Sequence, residues 1–125
     1  MLKITLSLPP SVNHCYRNVT RNGKISRALS REASDWKKQA GWLALAEAKA
    51  KKWKCLPIGV KVVMELYVYW PDERKRDRNN LHKLLPDALE GIIFENDQYV
   101  LIRDMDFTVD RKHPRVECVI FAKEE

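Results

Sequence analysis

The chain of 125 residues is poor in glycine, with four, and has three cysteines, Cys15, Cys55 and Cys118. Four scattered glycines leave no Gly-rich loop to cradle a phosphate, and the absence of internal repeats excludes a solenoid. Three well-separated cysteines cannot all pair within one chain, and no CxxC or Cys/His spacing marks a zinc site. The expectation is reduced thiols in a reducing cytoplasm. No apolar run reaches the length of a membrane span, and the opening MLKITLSLPPSV lacks the apolar core of a secretory signal. No membrane partner is expected.

Charge is what the chain does have. Lys and Arg number 23 against 17 Asp and Glu, a formal net charge of +6. Such an excess suits a polyanionic partner, nucleic acid above all. At 45% apolar residues and this length, the chain can bury one core without staples, so residues 1–125 are read as a single domain.

Leu2, Ile4, Leu6 and Leu8 alternate with Lys3, Thr5 and Ser7, the period of a half-buried strand, and Pro9-Pro10 ends it. From Ser11 to Arg27 the chain reads as a basic loop. Its Arg17, Arg21, Lys24 and Arg27 stand with no acidic residue among them, which suits phosphate contacts as well as plain solvation. Ser30 or Ser34 can cap a helix running to Lys52. Its apolar positions span about 200° of the circumference, where a surface helix needs about 100°, so a second covered side is expected, by dimerisation or by deep packing in one domain. Gly59 to Trp70 reads as a central strand and Asn79 to Gly91 as a second helix. Ile102 to Val109 and Arg115 to Ala122 follow as strands. The order β-α-β-α-β-β predicts an α+β domain with a mixed sheet.

The stretch PDERKRDRNNLHKLLPDALEGIIFEND, Pro71 to Asp97, carries the chemistry. Leu81, Leu84, Leu85, Ala88 and Ile92 form the core face of its helix, and Asn80, Lys83 and Asp87 share the adjoining face. Asp77 and Asn79 stand at the helix N-terminus, where the dipole favours anions, and Asp97 returns after a short turn. Carboxylates in this arrangement suit a hard divalent cation, whose octahedron phosphate oxygens and water complete. Lys83 would stabilise charge on a phosphate, and Arg74, Lys75, Arg76 and Arg78 would hold a DNA backbone. The same residues also suit simpler roles. Asp77 fits the helix dipole without a metal, and Lys83 with Asp87 fits a solvated ion pair. The three histidines are scattered, and His82 lies away from the polar face. Asp104 and Asp106 alternate onto one face of their strand.

The segment Asp77-Arg-Asn-Asn-Leu-His-Lys83, then Asp87-Ala-Leu, then Asn96-Asp97, resembles the RusA family of Holliday-junction resolvases. That family's pattern is D-x-D-N-x-x-K, a following D-A-L, and an acidic pair about ten residues on. Pro9-Pro10-Ser11-Val12-Asn13, with Tyr16 and Arg17, is similar to the family's opening P-P-S-x-N. The resemblance implies a homodimeric, Mg²⁺-dependent endodeoxyribonuclease, with Mn²⁺ as an alternative metal. Such an enzyme binds four-way DNA junctions and nicks two opposing strands, in bacteria, phages and prophages. It assigns Asp77, Asp97, Lys83 and Asn79 to catalysis, and Asp77, Asp97, Asn79 and Asp87 to the metal. DNA would be held by Asn13, Tyr16, Arg17, Arg21, Lys24, Arg27, Arg74, Lys75, Arg76 and Arg78.

One position departs from the pattern. Asn79 stands where the family has its second aspartate, and an amide offers an oxygen but neither charge nor a base. Either another carboxylate among Asp87, Asp72, Glu73, Glu95 and Asp104 completes the set, or the chain binds junctions or nucleic acid generally without cutting.

Overall fold

A computed structural model describes residues 1–11, 16–74 and 79–124. The chain forms β1 (Leu2–Leu6), the hairpin strands β2 (Tyr16–Arg21) and β3 (Lys24–Leu29), and α1 (Arg31–Ala50). There follow β4 (Val62–Trp70), α2 (Asn79–Leu89), a 3₁₀ turn (Asp97–Tyr99), β5 (Val100–Val109) and β6 (Arg115–Ala122). The fold is α+β with a mixed sheet, as expected.

The main sheet runs β1-β6-β4-β5. β6 lies antiparallel to both its neighbours, while β4 and β5 run parallel, joined through α2 as a crossover. Alternation decides its two faces. Leu2, Ile4 and Leu6 of β1, Met64, Leu66 and Val68 of β4, and Val116, Cys118 and Ile120 of β6 are all buried beneath the helices. Burial pushes the Cys118 thiol up to about 12, so it stays protonated and inert. Cys55 and Cys118 are both free thiols.

Three further features shape the scaffold. Ser30 caps α1, its hydroxyl accepting from the Ala33 N–H, and the Trp36 indole donates to the Ser7 carbonyl at 2.9 Å. α1 buries Ala33, Trp36, Ala40, Gly41, Ala44 and Ala48. Those small residues let α2 come close: a Cβ at Gly41 would meet the Ala88 carbonyl and Ile92 Cδ1 at 3.5 Å. The opposite side of α1 is open, with Trp42 79% exposed beside exposed Leu43 and Leu45. The wide apolar arc is therefore covered on one side only.

The structure corrects the sequence reading in three places. The supposed loop from Ser11 onwards contains the hairpin, with Asn22 and Gly23 both at positive φ (52° and 76°), as a two-residue hairpin turn of this hand requires. Asn80 does not share an exposed face with Lys83. It is buried, and its side-chain amide donates to the Pro10 carbonyl, tying α2 to the segment after β1. Finally, the register of β5 against β4 shifts at Met105, pairing Asp104 with Leu66 but Asp106 with Tyr67. The bulge thus sends the two aspartates to opposite faces, because Leu66 and Tyr67 alternate.

The Asn80 tie should be costly to remove, since it satisfies a carbonyl across seventy residues of chain. Asn80→Ala is expected to lower stability by about 1–3 kcal/mol. Urea denaturation followed by far-UV circular dichroism reads the loss, and an unchanged midpoint would refute it.

Candidate metal and nucleic-acid site

The site is built from the C-terminal end of α2 and the return that follows it. Gly91, at φ 83°, ends the helix, and its N–H donates to the Phe94 carbonyl at 2.7 Å. The return is then clamped from outside. Leu56 donates to the Ile93 carbonyl at 3.0 Å and accepts from the Glu95 N–H at 2.9 Å. The Trp53 indole adds a 3.0 Å bond to the Ile93 carbonyl. Ile93 and Phe94 are fully sequestered in the core, so the backbone carrying Asn96 and Asp97 has little freedom. Asn96 caps the 3₁₀ turn, its side-chain oxygen accepting from the Gln98 N–H at 2.9 Å. That role needs an acceptor and no charge, which an amide supplies.

This clamp brings three carboxylates together. Asp87, Glu90 and Asp97 each offer an oxygen, and these oxygens lie within 4.8 Å of one another. Asp87 is half-buried and the other two are exposed. The donor set, three hard oxygens with room for water, fits Mg²⁺ or Mn²⁺. Its location is electrostatically expensive. No basic residue stands in the last turn of α2, where the helix dipole is negative and favours cations. Lys37 of α1 reaches across instead, its Nζ 2.5 Å from Asp87 Oδ2. Asp87 therefore pairs with Lys37 and not, as its spacing allowed, with Lys83.

The remaining candidates fall as follows. Asn79 and Lys83 are exposed on α2. Asn79 lies eight residues before Asp87, about 12 Å along the helix axis, so those two side chains belong to opposite ends of the helix. His82 faces the other flank and donates from Nε2 to Asp104 Oδ1 at 2.8 Å, joining α2 to β5. Arg17 and Lys24 are exposed on the hairpin, where the register sets Arg17 opposite Ala28, Asn18 opposite Arg27, and Arg21 opposite Lys24. Tyr16 begins that hairpin. Arg74 is exposed, its backbone N–H donating to Asp72 Oδ1 at 3.0 Å. Asn13, Lys75, Arg76, Asp77 and Arg78 lie outside the described residues. Glu90 escaped the sequence reading, although its spacing of three from Asp87 places it on the same helix flank.

With this geometry in view, the comparison with known families decides the affiliation. The model of the family described as endodeoxyribonuclease RusA matches residues 8–120. The chain belongs to the RusA family. The match spans the hairpin, both helices and the return, so the acidic group and the basic hairpin lie inside the shared region. No curated protein matches the chain significantly. Membership makes a nuclease the coarse activity of this fold, and family members act on DNA junctions. No helix among the described residues is long and apolar enough to cross a membrane.

If the three carboxylates act as one ligand set, removing either charge outside the Lys37 pair must weaken cation binding. Glu90→Gln and Asp97→Asn are each expected to reduce Mn²⁺ affinity by about tenfold, read from the paramagnetic resonance signal of free Mn²⁺. Wild-type affinity in both variants would dissolve the set.

Proposed function

We propose that the chain is a Mg²⁺-dependent, structure-specific endodeoxyribonuclease that binds four-way DNA junctions as a homodimer and resolves them by paired symmetric nicks in recombination and repair. The observation carrying this reading is the convergence of Asp97 with Asp87 and Glu90 in a chain of the RusA family. Asp87, Glu90 and Asp97 would hold the cation, while Asp77, which matches the family's first aspartate, lies outside the described residues. Bound there, Mg²⁺ would polarise the scissile phosphate and acidify an attacking water.

The chain's own residues supply binding and orientation. Lys83, on the exposed side of α2, would hold a phosphate oxygen by charge. Arg17, Lys24 and Arg74 are exposed cations suited to the DNA backbone, and Arg21 and Arg27 extend the same hairpin.

The dimer reading is supported by the open side of α1. Trp42 is nearly fully exposed with exposed Leu45 three residues on, while Asp35 and Lys49 stand seven residues to either side. Two copies of α1 packed antiparallel about Trp42 would bury the apolar residues and oppose Asp35 to Lys49. A twofold dimer suits paired nicks on a pseudo-symmetric junction.

Asn79 favours a second reading, a junction binder that does not cut, because it lacks the charge of the family's second aspartate. A synthetic four-way junction separates the two. With Mg²⁺ or Mn²⁺ the wild-type chain should nick opposing strands, and Asp97→Asn should slow cleavage on the order of a hundredfold while still binding. Tight binding with no cleavage in either metal would sink the resolvase reading, and cleavage gained by Asn79→Asp would then establish the binder.

The dimer has its own test. Light scattering after size exclusion should give twice the chain mass for the wild type and the single-chain mass for Trp42→Asp. A monomeric wild type at assay concentration would refute the pairing.

A further inference from the structure

The lysine that the family pattern places by the site is Lys83. Among the described residues, Lys37 also reaches the acidic group, from a different helix and outside every motif. Its Nζ lies 2.5 Å from Asp87 Oδ2, with side-chain exposures of 34% and 43%. Such a pair is open to water and ions and contributes little to folding. Three carboxylates and one ammonium leave two formal negative charges, the charge that one divalent cation neutralises.

Resting on the metal-site reading above, we propose that Lys37 is an exchangeable counter-ion of this site: it holds Asp87 until a divalent cation takes the carboxylate, and then turns to a DNA phosphate. An ammonium on a four-carbon stem is a compact charge with three donors, able to change partner by rotation alone. A dication beside Asp87 repels the ammonium, and a phosphate gives it a new acceptor. Cation and DNA then bind with mutual reinforcement, since each makes room for the other, and that coupling is reciprocal. Without the cation, Lys37 keeps three adjacent carboxylates from repelling one another at the negative end of α2.

The test uses the full chain as wild type, Lys37→Met, Lys37→Arg and Asp97→Asn. Mn²⁺ affinity is measured without DNA from the free-ion resonance signal. Lys37→Met should bind Mn²⁺ about tenfold more tightly than wild type, and Lys37→Arg close to wild type, since only the first removes the competing charge. Junction affinity is then measured with and without Ca²⁺, with strand integrity checked on a denaturing gel. The gain in affinity on adding Ca²⁺ should be at most half as large in Lys37→Met as in wild type.

A Lys37→Met chain with unchanged or weaker Mn²⁺ affinity overturns the counter-ion, and a lowered melting temperature with that result makes the pair a simple tie between helices. An undiminished Ca²⁺ gain overturns the transfer to phosphate. If the wild type shows no Mn²⁺ binding that Asp97→Asn abolishes, the metal site itself fails and the counter-ion with it.

Discussion

The close approach of α1 and α2 is the constraint on which the site depends. A stripe of small residues, Ala40, Gly41, Ala44 and Ala48, lets the helices meet so closely that a Cβ at Gly41 would touch the Ala88 carbonyl. Two consequences follow from that one contact. Lys37, one turn before Gly41, arrives beside Asp87. The chain leaving α1 also arrives beside the chain leaving α2, so that Trp53 and Leu56 can bond the Ile93–Glu95 return. Each of these backbone bonds stabilises modestly, about 0.5–1.5 kcal/mol, but together with the burial of Ile93 and Phe94 they fix where Asp97 stands. A larger residue in the stripe would act on the acidic group from a distance, by parting the helices.

How much of this was legible depends on whether the signal was local. β1 and both helices followed from their periods, because one face of each is buried and the other wet. The hairpin did not, since YRNVTR and KISRAL carry polar residues on both faces and show no apolar alternation. Its real signal was the pair Asn22-Gly23, which the charge of the segment obscured. The bulge at Met105 is a property of register with β4 and has no local signature, so Asp104 and Asp106 could not be separated from the sequence. Asn80 was misplaced for the same reason. Its partner, the Pro10 carbonyl, lies in a distant part of the chain.

The site divides along the same line. Asp87 and Asp97 were named from helix spacing and the return after the helix, and again from the family pattern, and the structure sets them side by side with Glu90. Glu90 follows Asp87 by three residues at the end of the same helix, just past the Asp87-Ala-Leu segment, so its spacing was legible in the sequence. Lys37 was beyond reach, because nothing near it in sequence connects it to Asp87. Non-local pairs of this kind are what folding adds to a motif.

The position of the acidic group also bears on Asn79. Carboxylates are disfavoured at the C-terminal end of a helix, yet Asp87 and Glu90 stand there with no base in the last turn. Asp97 is then held beside them by a clamp of hydrogen bonds, and among the described residues Lys37 of α1 pairs with the group. Three carboxylates drawn together at the negative end of a helix repel one another, so their joint presence argues for a ligand that they serve. The acidic group begins about 12 Å along α2 from Asn79. The missing charge at position 79 therefore weakens one end of the helix without emptying the other. The departure from the family pattern concerns the α2 N-terminus, and it leaves intact the argument for a cation at the C-terminal end.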